Sequence, residues 1–300
     1  MRSEFDIVSR RLVLQGVAGF TLLAAARAGA ATAQPATKLT LSAEGGRAVE
    51  VWRWVPTGRR RGVIAFSHGA LSAPWKYEKL LSPWVAAGYE ILAPLHVDST
   101  DHPQTKAFAG LASWKARIED MRAVAQAVRA ERFVAAGHSY GGLTALTMGG
   151  AQAMMPQGLT GSQRLPRVSA VLAFSPPGIT PPLIDAAGYA KLAVPALIQT
   201  GDRDIPMGST DPAGWRGHLA AYEAAPPGGD RYALVLDGVD HYFGGLICRE
   251  IEAERQTAQL ATAVELSTLF MNAFLAKDAK SRRVFDGHLA AAGPVRLTRK

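Results

Sequence analysis

Glycines stand two positions before and two after Ser139 in the run Gly137-His138-Ser139-Tyr140-Gly141-Gly142. The run is entered from the apolar stretch Phe133 to Ala136 and left through Leu143 to Met148. That order reads as strand, sharp turn and helix with a serine at the apex, the pattern of a nucleophile elbow. A serine there is held in strained backbone angles, and strand and helix pass so close that Gly137 and Gly141 fill positions with room for little more than hydrogen. The turn points the hydroxyl out of the sheet and aims the Tyr140 amide and the helix N-terminus at it, a geometry suited to an oxyanion.

The elbow sits in an alternating chain. Ala48 to Val55 alternates like an edge strand, while Gly62 to Ser67, Tyr89 to Pro94, Val168 to Phe174, Val194 to Gln199 and Arg231 to Leu236 are apolar runs suited to strands buried on both faces. Helices fit Trp75 to Ala87, the stretch through Trp114 to Arg129 with Ile118, Met121, Val124 and Val128 at helical spacing, and Ile251 to Leu275. Strands alternating with helices predict a mostly parallel central sheet covered on both sides and wound with right-handed crossovers. The Pro-rich segment Pro176 to Pro195 is too short for a cap domain and is expected to form a rim or small lid on an open site.

With 48% hydrophobic and 19% charged residues, the 300-residue chain can bury one large core, so residues 34–300 are expected to form a single domain. Residues 1–33 read differently. Ser9-Arg10-Arg11-Leu12-Val13-Leu14 precedes an Ala-rich apolar stretch ending in Ala31-Thr32-Ala33, the arrangement of a twin-arginine export signal, although Arg27 falls late in the apolar part. The stretch is too short and small-residued for a stable span, so the mature protein is expected to be exported, periplasmic or secreted, and soluble. Removing this segment takes four arginines and two acids, and the net charge falls from +8 to +6. Part of the excess lies in the tail (Lys277, Lys280, Arg282, Arg283, Arg296, Arg299, Lys300), read as solvated surface. No element interleaves basic residues with stacking aromatics, so a nucleic-acid partner is not expected. Cys248 is the one cysteine, excluding an internal disulfide and suggesting a small buried apolar residue.

A serine hydroxyl needs a base to take its proton and a carboxylate to orient that base. Chain order for this kind of elbow is serine, acid, histidine. Asp204, in Gly201-Asp202-Arg203-Asp204 after the strand ending at Gln199, is the candidate acid, with Asp202 as its rival. His241, in Asp237-Gly238-Val239-Asp240-His241-Tyr242 after the last strand, is the candidate base; His68, His96, His102, His138, His218 and His288 are alternatives less well placed in chain order. A second oxyanion donor besides Tyr140 is expected from the loop after Gly62 to Phe66, with Ala70 first and Leu71 second, and His68 holding that loop by hydrogen bonds. Leu71 and Tyr242 adjoin the chemistry as candidate substrate contacts. His96, Asp98, Asp101 and His102 offer metal-ligand atoms, but their spacing matches no zinc or calcium pattern, and neither metal nor cofactor is expected.

These residues resemble the α/β-hydrolase superfamily over nearly all of the mature chain. Ala65-Phe66-Ser67-His68-Gly69, the elbow, and Ala173-Phe174-Ser175-Pro176 are similar to the dienelactone-hydrolase and platelet-activating-factor-acetylhydrolase-like group. The resemblance implies an α/β-hydrolase fold without a large cap domain, and an esterase on small-molecule esters with Ser139, Asp204 and His241 as triad and no cofactor. Ser139 stands where dienelactone hydrolases proper carry cysteine, which argues against their substrate. Thioesterase, amidase and a non-catalytic binding module are the alternatives.

Overall fold

The computed structural model describes residues 35–128 and 131–300. The export signal read over residues 1–33 lies outside them. Nine strands form one sheet: β1 (Thr37–Ser42), β2 (Ala48–Trp54), β3 (Gly62–Ser67), β4 (Tyr89–Pro94), β5 (Phe133–His138), β6 (Val168–Phe174), β7 (Ala196–Gly201), β8 (Arg231–Leu236) and β9 (Val295–Arg299). Their spatial order is β1-β2-β4-β3-β5-β6-β7-β8-β9. The six strands from β4 to β8 in that order run parallel; β1 and β2 at one end and β9 at the other pair antiparallel.

The continuous apolar strands are explained by their two buried faces. In β3, Val63 and Ala65 point into one core and Ile64 and Phe66 into the other; in β5, Phe133 and Ala135 oppose Val134 and Ala136. The first core is closed by α2 (Leu111–Ala127), through Ile118, Met121 and Val124, and by α3 (Tyr140–Met148), through Leu143 and Leu146. The second is closed by α1 (Glu78–Ala86), through Leu80, Leu81 and Trp84, by α6 (Thr257–Phe274), through Leu260, Leu266 and Phe270, and by Phe285 of α7 (Ala279–Asp286). Short helices α4 (Ala186–Tyr189) and α5 (Ala220–Ala224) complete the set.

Four expectations change. The segment read as an edge strand is β2, flanked on both sides, because β1 pairs with it and takes the edge. The β7 strand runs from Ala196 to Gly201, starting after Pro195 rather than at Val194. The last long helix starts at Thr257, not Ile251, because the preceding residues fold back over the loop after β8: Arg255 donates to Gly244 O, and Gln256 exchanges hydrogen bonds with Asp240. The basic tail is structural rather than merely solvated, since Arg282 bridges Asp230 and Asp286, and Arg296 of β9 reaches Asp202. Among the described residues no helix is long and apolar enough to cross a membrane.

Candidate active site

Ser139 lies between β5 and α3 with φ 56° and ψ −122°, the strained conformation the elbow demands. A Cβ at Gly137 would strike the Gly141 backbone, and one at Gly141 would strike Ser67, so both positions admit only glycine in this geometry. Asp204 lies three residues past β7, fully buried, and His241 lies five past β8 with its side chain 22% exposed. His241 Nδ1 is 2.7 Å from Asp204 Oδ1, and Thr200 Oγ1 donates to Asp204 Oδ2 at 2.8 Å. A Cβ on Gly201 would meet Val239, so acid loop and base loop pack too closely for any other residue there. Asp202, the rival acid, points elsewhere: it accepts from the Gly238 amide and from Arg296.

Burial works against the charge on Asp204, yet the close approach of His218 and the hydrogen bond from His241 outweigh it and hold the carboxyl far below its ordinary range. Desolvation lowers His241 below the usual histidine value, with Asp204 opposing and the neighbouring His138 and His218 assisting. A neutral His241 whose Nδ1–H is fixed on Asp204 presents an unprotonated Nε2.

Ser139 and His241 line one cavity of about 490 Å³ with Ala70, Leu71, Ser175, Pro177, Ile205, Pro206, Met207, His218, Tyr242, Cys248 and Arg249. Leu71 and Met207 are exposed at its mouth, and Pro177 brings the 176–195 rim to the wall. The Tyr140 amide is at the first position of α3, where no intrahelical acceptor exists. The Ala70 amide has no acceptor among the described residues, whereas the Leu71 amide faces Asp98 Oδ2 at 3.4 Å, which favours Ala70 over Leu71 as a free donor.

The esterase domain of a Rhodothermus marinus protein superposes with a TM-score of 0.54 at 15% identity, over 81% of this chain and 100% of that one. An acylaminoacyl peptidase of Pyrococcus horikoshii superposes with a TM-score of 0.62 at 12% identity, over 84% of this chain. A Pyrococcus furiosus esterase gives 0.56 at 12% identity, over 80% of this chain and 93% of its own. The chain has the α/β-hydrolase fold. It spans 44% of the acylaminoacyl peptidase and the whole of the Rhodothermus esterase domain. No protein-family model and no curated protein matches the sequence.

Beneath the elbow of this α/β-hydrolase fold lies a buried polar network that the sequence reading did not assemble. Arg117 of α2, fully buried, grips Asp98 with Nε and Nη2 at 2.8 Å each and donates to the carbonyls of His68 and Gly69. Its guanidinium lies 4.6 Å from the centroid of the Tyr140 ring, so one side chain braces both oxyanion candidates. Ser67, His96 and Asp120 repeat a Ser-His-Asp spacing, with Ser67 Oγ 2.8 Å from His96 Nε2 and His96 Nδ1 2.7 Å from Asp120 Oδ2. All three are sealed from solvent, which makes this a bracket for the loop rather than a second reaction centre.

A further chain has fixed direction. The His241 carbonyl can only accept, so His138 Nε2, 2.8 Å away, carries the proton. The neutral ring then accepts at Nδ1 from Tyr77 Oη at 2.9 Å, and Tyr77 Oη accepts from the Gly69 amide at 2.8 Å. Burial pushes His138 down to about 4, consistent with that neutral ring. His68 donates from Nδ1 to Gly69 O and accepts at Nε2 from the His96 amide, the loop-holding role expected of it.

The loop His96 to His102 does not converge on a metal: His96 faces Asp120, Asp98 faces Arg117, and Asp101 pairs with Lys76. Ligand atoms of Asp204, His218 and His241 do lie within 4.8 Å of one another, but an ion there would have to displace the His241 Nδ1 proton from Asp204. His218 is the residue at the site that sequence order hid, since it sits in a helical turn (Gly214–Leu219) rather than in a loop at a strand end.

Proposed function

We propose that this chain is a serine hydrolase that cleaves small carboxylic esters through an acyl-enzyme. The observation that carries the reading is the 2.7 Å contact of His241 Nδ1 with the buried Asp204 carboxylate, in the wall of the cavity that Ser139 enters from its strained turn. His241 Nε2 takes the Ser139 proton as Oγ attacks the ester carbonyl, and the carbonyl oxygen gains negative charge facing the amides of Tyr140 and Ala70. Each such donor is worth about 3 to 4 kcal/mol of transition-state stabilisation. The protonated His241 then gives its proton to the departing alkoxide. Water, deprotonated by the same nitrogen, attacks the acyl-Ser139 ester, and His241 returns that proton to Ser139 Oγ as the acyl–oxygen bond breaks and the acid is released. The α/β-hydrolase fold shared with esterases supports this reading, as does the pattern similar to the dienelactone-hydrolase and platelet-activating-factor-acetylhydrolase-like group. Apolar walls of Leu71, Ile205, Pro206 and Met207 suit a short acyl or alkyl group. Arg10 and Arg11 ahead of their apolar stretch support an exported enzyme.

The test is intact-mass analysis after incubation with a fluorophosphonate, coupled to turnover of p-nitrophenyl esters of increasing chain length. Wild type is expected to gain one adduct and to prefer short acyl chains. Ser139→Ala is expected to gain none and to lose about 10⁵- to 10⁶-fold in kcat. Absence of both labelling and turnover in wild type overturns the reading in favour of a binding module, and faster cleavage of anilides than of esters turns it into an amidase.

A further inference from the structure

His218 stands at 5% exposure between two groups that can only accept hydrogen bonds. Its Nδ1 is 2.7 Å from the Pro176 carbonyl, so that nitrogen carries a proton. Its Nε2 is 3.1 Å from Asp204 Oδ1, off the axis of a linear hydrogen bond, and has no other partner among the described residues. In a neutral ring with the proton on Nδ1, Nε2 would turn a lone pair toward a buried carboxylate that already receives the His241 proton. Doubly protonated, the same ring forms an ion pair with Asp204 and keeps its bond to Pro176.

We propose that His218 is an imidazolium at neutral pH, a positioning residue that supplies the counter-charge of Asp204 and ties the 176–195 rim to the acid. This rests on the proposed triad. The groups facing it are Asp204 from the loop after β7 and His241 from the loop after β8, ring centroids 5.6 Å apart. Beyond His241 stand His138, its ring 4.7 Å away, and Arg249 at the cavity wall. Burial disfavours the charged ring, but Asp204 outweighs it and raises His218 above the ordinary histidine value. A cation at that distance opposes a second charge on His241, so the base stays unprotonated, and competent, into mildly acidic solution. Asp204 thus serves two histidines: one that exchanges a proton in each cycle and one that keeps its own.

The experiment has two arms on the full chain. Ring ¹⁵N shifts of histidine-labelled wild type, assigned with His218→Gln, are expected to show both His218 nitrogens protonated at pH 7; one protonated and one bare nitrogen overturns the proposal without reference to activity. In the second arm the acid limb of kcat/KM for p-nitrophenyl acetate is compared between wild type and His218→Gln, whose amide keeps an N–H donor without charge. Loss of the cation is expected to move the limb about one pH unit alkaline, about tenfold in rate on the acid side. A lower rate with the limb unmoved marks a purely structural His218 and overturns the proposal. Fluorophosphonate labelling of Ser139 in both proteins reads the esterase proposal separately, and should His218→Gln not fold, the wild-type ring ¹⁵N signals are assigned by through-bond correlation to the His218 backbone instead.

Discussion

The Tyr77 hydroxyl takes one hydrogen bond from the Gly69 amide and gives one to His138, which in turn holds the His241 carbonyl. A single fully buried oxygen therefore fixes the spacing between the oxyanion loop and the base loop. Tyr77→Phe is expected to leave a buried amide and a buried imidazole nitrogen unpartnered, at about 1 to 3 kcal/mol of stability. Its kcat should fall while KM is little changed; urea unfolding and steady-state kinetics check the two effects. At this scale the proposed Ser139, Asp204 and His241 are legible as candidates because each follows a strand in the order the elbow calls for. Tyr77, His138 and His218 are not, because their meaning lies in which neighbour can accept and which must donate. Those neighbours come from other segments: the carbonyl that fixes His218 belongs to Pro176, and the one that fixes His138 belongs to His241.

Among the elements, α2 carries a burden its sequence disguises. Ile118, Met121 and Val124 give it an apolar face, which the structure keeps, but Arg117 and Asp120, both charged side chains, are fully buried as well. The reason is that α2 lies over the mouth-side end of β3, where the loop carbonyls of His68 and Gly69 need donors and Asp98 needs a cation. Arg117→Met is expected to strand the Asp98 carboxylate and cost about 3 to 5 kcal/mol, and Arg117→Met combined with Asp98→Leu to recover much of it, as measured by denaturant unfolding. Recovered stability without recovered turnover would place the role of Arg117 in holding the loop rather than in supporting the fold. The buried strands were legible to within a residue or two because apolar runs between breakers leave few other structures. The edge strands were not: in β9 only Leu297 is buried, and Val295, Arg296, Thr298 and Arg299 give no run to read.

For the molecule as a whole, acid is the weak side. An unfolded His138 would bind a proton near 6.5, whereas the folded one does so only near 4. Between those values unfolding takes up a proton, so stability falls as pH falls, by about 3 kcal/mol from this residue at the lower end. Burial depresses His68 and His96 in the same direction. Asp120 opposes them, because burial raises it to about 6 and the folded state then gains a proton that the unfolded one has already lost. His241 and His102, also depressed, add to these three histidines, while the raised His218 joins Asp120 on the other side; the balance is a net loss on acidification, expected as a falling urea midpoint from pH 7 to pH 5 that is shallower in His138→Gln. The same arrangement governs how a titration of this protein will look. Five imidazoles crowd within two loops of Ser139, yet His68, His96 and His138 are locked neutral by partners on both nitrogens and His218 is committed to its carboxylate. A pH–rate curve here should trace the proton of one ring, a signal far simpler than the crowd of histidines around it would suggest.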